Sequence, residues 1–344
     1  MRRSRNKYAG RIFLGLILIL GLGVFLAVSV RLYRQKKETE ARIAAREYEE
    51  NEESILFRSE TIEYEGETYR RNSYVKAILC MGVDRKGSML ESTTYTFGGQ
   101  ADGIFLIAQD TSRNTLKILV IPRDTMTEIT MTDLSGNVLG KDIQHLTLAY
   151  AYGDGREKSC QLVAEAVSSL LGGLKIDHYM SANIDVINIL NNSVGGVTVT
   201  VPSAGMDQRD AAFVEGEQVT LTGEQAEAFV RYRDITETHS AIYRMDRQQE
   251  YITQFFGVVK QQSRTDSGIV TDLLDLIQDQ IVTDMEKKEY LKVALDALEM
   301  GELKDDDFYV VPGEAVMTEI YDEFHADQEA LVPIVLELFY RKVS

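Results

Sequence analysis

Apolar and polar positions along the chain fall into three regimes. From Ile12 to Val30 nineteen residues pass without a charge. As an α-helix rising about 1.5 Å per residue, that stretch spans roughly 28 Å, close to the hydrocarbon core of a bilayer. It predicts a transmembrane helix over 12–30 with a short tail, 1–11, before it. The small residues Ala27-Val28-Ser29 would suit a cleavage site, but the apolar run is longer than the core of a cleavable signal peptide. Five basic residues precede the run and four follow it closely, a weak bias toward a cytoplasmic N-terminus, a single-pass cell-membrane protein and an extracytoplasmic bulk. Residues 31–71 come next, rich in Glu, Arg, Lys and Ala, with no Pro or Gly before Gly66. They read as a solvated helical stalk or linker; Ile43, Tyr48 and Ile55 are too few apolar positions for a coiled coil.

In the third regime, 72–344, strand-like and helical patterns alternate. Apolar runs at Tyr74 to Val83, Gly103 to Gln109 and Leu116 to Pro122 predict strands, and Ser159 to Leu171 predicts a helix. Further strands are predicted near Asp177 to Asn183 and Gly196 to Val201, then a helix from Thr222 to Arg233 and another over Tyr243 to Gln262. One or two helices fall within Ile269 to Met300. A strand at Phe308 to Val311, a Pro312-Gly313 turn and an amphipathic helix from Asp327 to Tyr340 close the chain. Such alternation predicts an α/β domain with a central sheet flanked by helices. Asp110-Thr-Ser-Arg-Asn114 joins two apolar strands at hairpin spacing, so the sheet is mixed rather than all parallel.

Charge divides along the same boundary. The 344 residues carry 37 Lys and Arg against 54 Asp and Glu, a net −17. The first 37 residues hold nine basic residues and no acid, leaving 28 basic against 54 acidic residues, or −26, for the remainder. So acidic a surface repels nucleic acid, and any anion site on it must be a local cluster. Two cysteines and four scattered histidines supply neither a disulfide framework nor a close-spaced zinc site. The usual nucleotide-loop, zinc-protease and hydrolase motifs are absent from the chain.

Ligand crevices in α/β sheets lie beyond strand ends, so charges placed there are the candidates. Asp84 and Arg85 follow the first apolar strand, Asp102 precedes the second, and Arg123 and Asp124 follow the third. Each taken singly is most simply a solvated strand end; together they put carboxylates and an arginine on one edge. Arg231 and Arg233 stand two apart, on one face if the segment is extended and about 200° apart if it is helical. Only the extended form makes the pair a fork for phosphate oxygens. Arg244 and Gln248, at i and i+4, share a helix face, with Arg247 beside them. Ordinary helix salt bridges are the plain alternative for these arginines.

Taken in order, Gly82-Val-Asp84, Gln100-Ala-Asp102, Ile121-Pro-Arg-Asp124, Ala149-Tyr-Ala-Tyr-Gly153, Val194-Gly-Gly-Val197, Leu221-Thr-Gly-Glu-Gln-Ala226, Val230-Arg-Tyr-Arg233 and Arg244-Met-Asp-Arg-Gln248 resemble the LytR-CpsA-Psr family. The resemblance spans about 74–265. It implies a cell-surface transferase, mostly of Gram-positive bacteria, that moves teichoic acid, capsule or a similar glycopolymer from a polyprenyl (pyro)phosphate carrier to peptidoglycan as a phosphodiester. It implies Mg2+ on Asp84 and Asp102, and phosphate binding by Arg123, Arg231, Arg233, Arg244, Gln248 and Gln100. Arg231, Arg233, Asp84 and Asp102 are the catalytic candidates on this resemblance, which also places a lipid tunnel between sheet and helices.

Three positions depart from the family pattern. Gln100 stands where many members have arginine, and His145-Leu-Thr147 where Lys-x-Asn is usual. Ala241 stands where an acid often precedes the last arginine, leaving Asp234 and His239 as the nearest proton acceptors. These losses spare ligand binding more readily than catalysis. A non-catalytic polyprenyl-phosphate-binding regulator of envelope assembly, and a polyprenyl pyrophosphatase, are therefore the alternatives.

Overall fold

A computed structural model describes residues 56–91, 93–95, 98–202, 206–233, 240–318 and 322–343. The transmembrane helix predicted over 12–30, its flanking tail, and the stalk up to residue 55 lie outside the described residues. Among the described residues no helix is long and apolar enough to cross a membrane. The unit that begins at Leu56 runs to the C-terminus.

The helical stalk predicted for 31–71 does not extend through its last eleven residues, which form a hairpin of β1 (Thr61–Tyr64) and β2 (Glu67–Arg71). Glu65 and Gly66, at φ 50 and 78, make the two-residue turn whose positive φ angles match strand twist. Ile62 is buried, and β2 pairs along its other edge with a C-terminal strand. Pairing and burial override the helix preference of a Glu- and Arg-rich segment.

The predicted hairpin of the main sheet forms between β4 (Ala101–Asp110) and β5 (Thr115–Val120), and β3 (Val75–Val83) pairs antiparallel with β4 on its other side. Asp110 fixes the β4–β5 turn, its Oδ1 accepting the Ser112 and Arg113 amides at 2.8 and 3.0 Å. A second hairpin, β6 (Met126–Thr132) and β7 (Val138–His145), was not predicted, because its buried positions are largely threonines (Thr127, Thr130, Thr132). Helices α1 (Leu148–Ala151) and α2 (Glu157–Leu170) lead to β8 (His178–Asn183), parallel to β3. Then come α3 (Asp185–Ser193), the pair β9 (Val197–Thr200) and β10 (Gln218–Leu221), and α4 (Gly223–Arg231). Thr222 opens α4 with a capping box to Gln225. Helices α5 (Ser240–Ser263) and α6 (Ile269–Leu276), strand β11 (Ile281–Thr283), helix α7 (Lys287–Glu299) and strand β12 (Phe308–Val310) follow. The tail adds an unpredicted hairpin, β13 (Gly313–Met317) with β14 (Asp322–Ala326), before α8 (Gln328–Phe339) and β15 (Tyr340–Lys342).

The central sheet has the order β11-β8-β3-β4-β5-β12, with parallel and antiparallel neighbours. Its two faces read off the strand period of two. Ala77, Leu79, Met81 and Val83 pack with Val163 and Val167 of α2 and Val335 of α8. On the opposite face, Ile78 and Cys80 turn toward Leu274, Met285 and Tyr290, and Ile118 and Val120 toward Ile252 and Phe256 of α5. Helices thus cover both faces, the predicted α/β layering.

Candidate functional site

At one edge of the second face, strand ends and the start of α5 bring charged residues together. The register between β3 and β4 shifts at Gly82/Val83: Gly82 lies opposite Gly103, Val83 opposite Ala101, and Asp102 is the extra residue of a bulge. A bulge redirects the side chain it carries. Asp102 meets Arg123 Nη1 in an ion pair. Asp84, just past β3, turns back on the loop before β4: its Oδ1 accepts the Gln100 amide at 2.7 Å, and its own amide donates to Gln100 O at 3.1 Å.

Arg123 also reaches Asp124, Nε to Oδ1 3.2 Å. Burial works against its charge, but Asp102 and Asp124 outweigh it and lift the Arg123 pKa above the ordinary arginine value. Arg233 Nη1 lies 3.7 Å from the other oxygen of Asp124, and its Nη2 pairs with Asp322 of β14. Arg244, in the first turns of α5, completes the cluster. Its side chain is 7% exposed, and its Nε has no hydrogen-bond partner among the described residues. Desolvation, then the neighbouring charge of Arg123, pushes its pKa down to about 10, with Asp102 and Asp124 opposing. It stays cationic at neutral pH.

Residues Asp102, Gly103, Pro122, Arg123, Asp124, Arg244 and Gln248 line a small pocket of about 20 Å³. Of the phosphate-binding set, Arg123, Arg244 and Gln248 line it, and Arg233 stands beside it on Asp124. Arg231 does not join them: it ends α4, is 44% exposed, and pairs with Glu227 one turn back at 3.0 Å. The helix stops between the two arginines, because Tyr232 is extended at φ −54, ψ 135. Gln100 contributes its backbone to Asp84, and the described contacts give its side chain no partner at the pocket. His145 Nε2 lies 2.9 Å from Asp322 O, at the rim. Asp234 and His239 lie outside the described residues.

Arg247 explains why α4 ends where it does. Fully buried, it donates from Nε to Phe229 O at 2.8 Å and from Nη2 to Tyr232 O, while Gln248 donates to Val230 O at 3.3 Å. These carbonyls are the ones a helix end leaves unsatisfied. Arg247→Ala is expected to lower the unfolding free energy in urea by about 3 kcal/mol, since buried carbonyls lose charge-assisted bonds. An unchanged urea midpoint would remove this role.

Sheet face and α5 also enclose an apolar cavity of about 320 Å³, lined among others by Ile78, Cys80, Ile107, Ile252, Phe256 and Val259. Burial raises the Cys80 thiol to about 12, so it is unreactive packing. One stripe of α5, spaced near i, i+4, joins the two places: Arg244 and Gln248 at the polar pocket, then Ile252, Phe256 and Val259 at the cavity. β5 does the same, with Val120 at the pocket and Ile118 and Leu116 along the cavity. A charged head with an apolar tail fits that gradient.

Among the described residues no three His, Cys, Asp or Glu side chains come together as a metal cluster. The sheet edge offers two carboxylates, Asp84 and Asp102, each with Oδ1 engaged. Among the described residues neither Oδ2 has a partner. Such a pair suits a hard octahedral ion that keeps its waters and takes phosphate oxygens, and it would not build a closed protein cage.

The signals for Asp322 and for the cavity were not in local motifs. Asp322 belongs to a five-residue strand that pairs only with its hairpin mate and bridges Thr125 through Phe324. The cavity arises from alternate residues of strands facing helices that lie more than a hundred residues further along the chain.

The chain is similar to several known proteins. A teichoic acid transferase of Halalkalibacterium halodurans, polyisoprenyl-teichoic acid--peptidoglycan teichoic acid transferase TagU, is 30% identical over 214 residues, 61% of each chain. The chain spans between 41 and 61% of the length of the first curated relatives it matches. The crystal structure of Bacillus subtilis TagV superimposes with a TM-score of 0.57 at 20% identity, over 77% of this chain and 97% of that one. A structure of TagT bound to LI-WTA gives 0.58 at 21%, over 77% and 90%. These likenesses show the shared α/β fold. With the LytR_cpsA_psr family model matching residues 28–337, the chain belongs to the LytR-CpsA-Psr family.

Proposed function

We propose that the protein transfers a glycopolymer, teichoic acid or capsule in type, from a polyprenyl (pyro)phosphate carrier to peptidoglycan as a phosphodiester. We further propose that it does so on the outer side of the cell membrane, anchored through 12–30. The observation that carries this reading is the single stripe of α5, which passes from a buried cation and Gln248 to an apolar cavity. That is the polarity of a lipid phosphate. The names of the relatives support the polymer and the acceptor.

In this reading the isoprenoid chain lies between the sheet and α5 to α7, and its phosphates reach Arg244, Gln248, Arg123 and Arg233. The arginines neutralise charge on the transferring and leaving phosphates, where it grows in the transition state. Mg2+ held by Asp84 and Asp102 would add a Lewis acid at the phosphate oxygens. Asp102 and Asp124 hold Arg123 in place from two sides, so its guanidinium need not reorganise as charge develops. Arg231, against Glu227, serves at most the outer rim.

The full chain in detergent, given a polyprenyl-pyrophosphate-linked glycan, peptidoglycan and Mg2+, is expected to form a covalent polymer-peptidoglycan adduct and release polyprenyl phosphate. Tight lipid binding without an adduct would establish the regulator instead. Inorganic phosphate released without acceptor would establish the pyrophosphatase.

A further inference from the structure

We propose that Asp322, on the tail hairpin, accepts the proton of the attacking sugar hydroxyl; this rests on the transfer reading above and names the group that starts it. Three carboxylates reach the arginines at and beside the pocket. Asp102 is held by Arg123, and in the transfer reading its other oxygen would serve Mg2+. Asp124, 14% exposed, is shared by Arg123 at 3.2 Å and Arg233 at 3.7 Å. Neither can turn to meet an acceptor arriving from solvent without giving up the arginines it orients. Asp322 differs: its side chain is 42% exposed, and its ion-pair partner among the described residues is Arg233 alone.

Its backbone, by contrast, is fixed. The Phe324 amide donates to Asp124 O at 2.9 Å, Thr125 bridges Phe324, and His145 Nε2 lies 2.9 Å from Asp322 O. β14 is thus tied to the segment that carries Arg123 and Asp124, and it presents Asp322 at the open rim. Arg123, Arg244 and Gln248 line the pocket, and Arg233 stands beside it on Asp124. In the transfer reading a phosphate that reaches Arg233 competes with Asp124 and Asp322 for its guanidinium. Asp322, the more exposed of the two, is the one to yield. Released from Arg233, its carboxylate is free to take up the hydroxyl proton on the solvent side of the cluster.

The step balances. The hydroxyl oxygen bonds to phosphorus, the bond from phosphorus to the polyprenyl phosphate breaks with its electron pair on the leaving oxygen, and the hydroxyl proton passes to Asp322, which gives it to water. A carboxylate has the same task in phosphoryl transfer to protein hydroxyls.

Full-length Asp322→Ala and Asp322→Asn in detergent, assayed with the polyprenyl-pyrophosphate glycan, Mg2+ and peptidoglycan, are expected to transfer roughly 100- to 10 000-fold more slowly. Binding of the lipid pyrophosphate should be kept or tightened, since a competitor for Arg233 is gone. Added formate should restore part of the rate to Asp322→Ala and none to Asp322→Asn, whose amide fills the space. Transfer by Asp322→Asn at the wild-type rate would overturn the proposal. So would a loss in Asp322→Ala that formate leaves unchanged and that lipid affinity follows, because the hairpin would then be scaffolding. Failure of the wild-type chain to transfer would overturn the transfer reading, and the role of Asp322 with it.

Discussion

Arg244→Met is expected to make the protein harder to unfold in urea and to abolish polymer transfer. Both halves follow from one fact: a guanidinium is buried to 7% exposure, with Nε unpartnered and no ion pair among the described residues. Desolvation, together with Arg123 and Arg233 nearby, brings its pKa down from the ordinary arginine value to about 10. At neutral pH the charged side chain therefore costs the folded state on the order of 3 kcal/mol, taking about 1.4 kcal/mol per pKa unit. The cost is present throughout the range below pH 10 and is relieved only as pH rises from there toward the unfolded value, where the unfolded chain binds the extra proton. Methionine keeps the length and flexibility of the stem while removing the charge, and such replacements of buried charges are often stabilising by roughly 1–4 kcal/mol. The same charge is what an entering phosphate meets. Losing one preorganised donor to a developing anion costs about 10²–10³ in rate, and Arg244 also bears on binding. Lipid pyrophosphate should raise the melting temperature of the wild-type chain and leave that of the variant unmoved. A variant that is less stable and still transfers would make Arg244 a structural residue.

Much of the sheet was legible because it obeys the simplest rule. β3, β4 and β5 alternate or run apolar between turn residues, and Asp110 sits where a turn needs a side-chain acceptor. The strand ends then located Asp84, Asp102 and Arg123 without any knowledge of packing. What sequence left open was settled by contacts distant along the chain. Whether Arg231 and Arg233 share a face depends on where α4 stops. That is decided by Arg247 and Gln248, which capture three carbonyls from the next helix. Periodicity cannot see such a cap, since Arg247 looks like a surface residue beside Asp246 and is instead buried.

Two of the three hairpins that were missed share a cause. β6 buries threonines, and β13 buries none of its five residues, so neither shows the apolar alternation that marks a strand. Asp322 enters the site on the second of them, which is why a residue so close to Arg233 had no signal. In β1–β2 the signal existed, in Ile62, Tyr64 and the Glu65-Gly66 turn, but the surrounding charge pattern favoured a helix.

Ala297→Trp should separate the lipid's tail from its head. Ala297, on α7, lines the apolar cavity of about 320 Å³ opposite the sheet. An indole there enters space already bounded by Leu298, Leu303 and Phe256, so the fold tolerates it, and what it displaces is room for the chain. Each buried methylene contributes about 0.8 kcal/mol, so excluding one five-carbon isoprene unit costs roughly 3–4 kcal/mol, between two and three powers of ten in affinity. The variant is expected to bind a long polyprenyl pyrophosphate at least a hundredfold more weakly. It should bind and turn over a carrier too short to reach Ala297 much as the wild-type chain does. Arg244→Met should show the reverse pattern, losing short and long carriers alike, because it acts where the phosphates lie. If Ala297→Trp left the long carrier's affinity unchanged, the chain would have to run elsewhere, and the stripe from Arg244 to Val259 would be ordinary helix packing. If instead it weakened both carriers equally, α7 would be positioning the phosphate end, and the division of labour along α5 would be wrong.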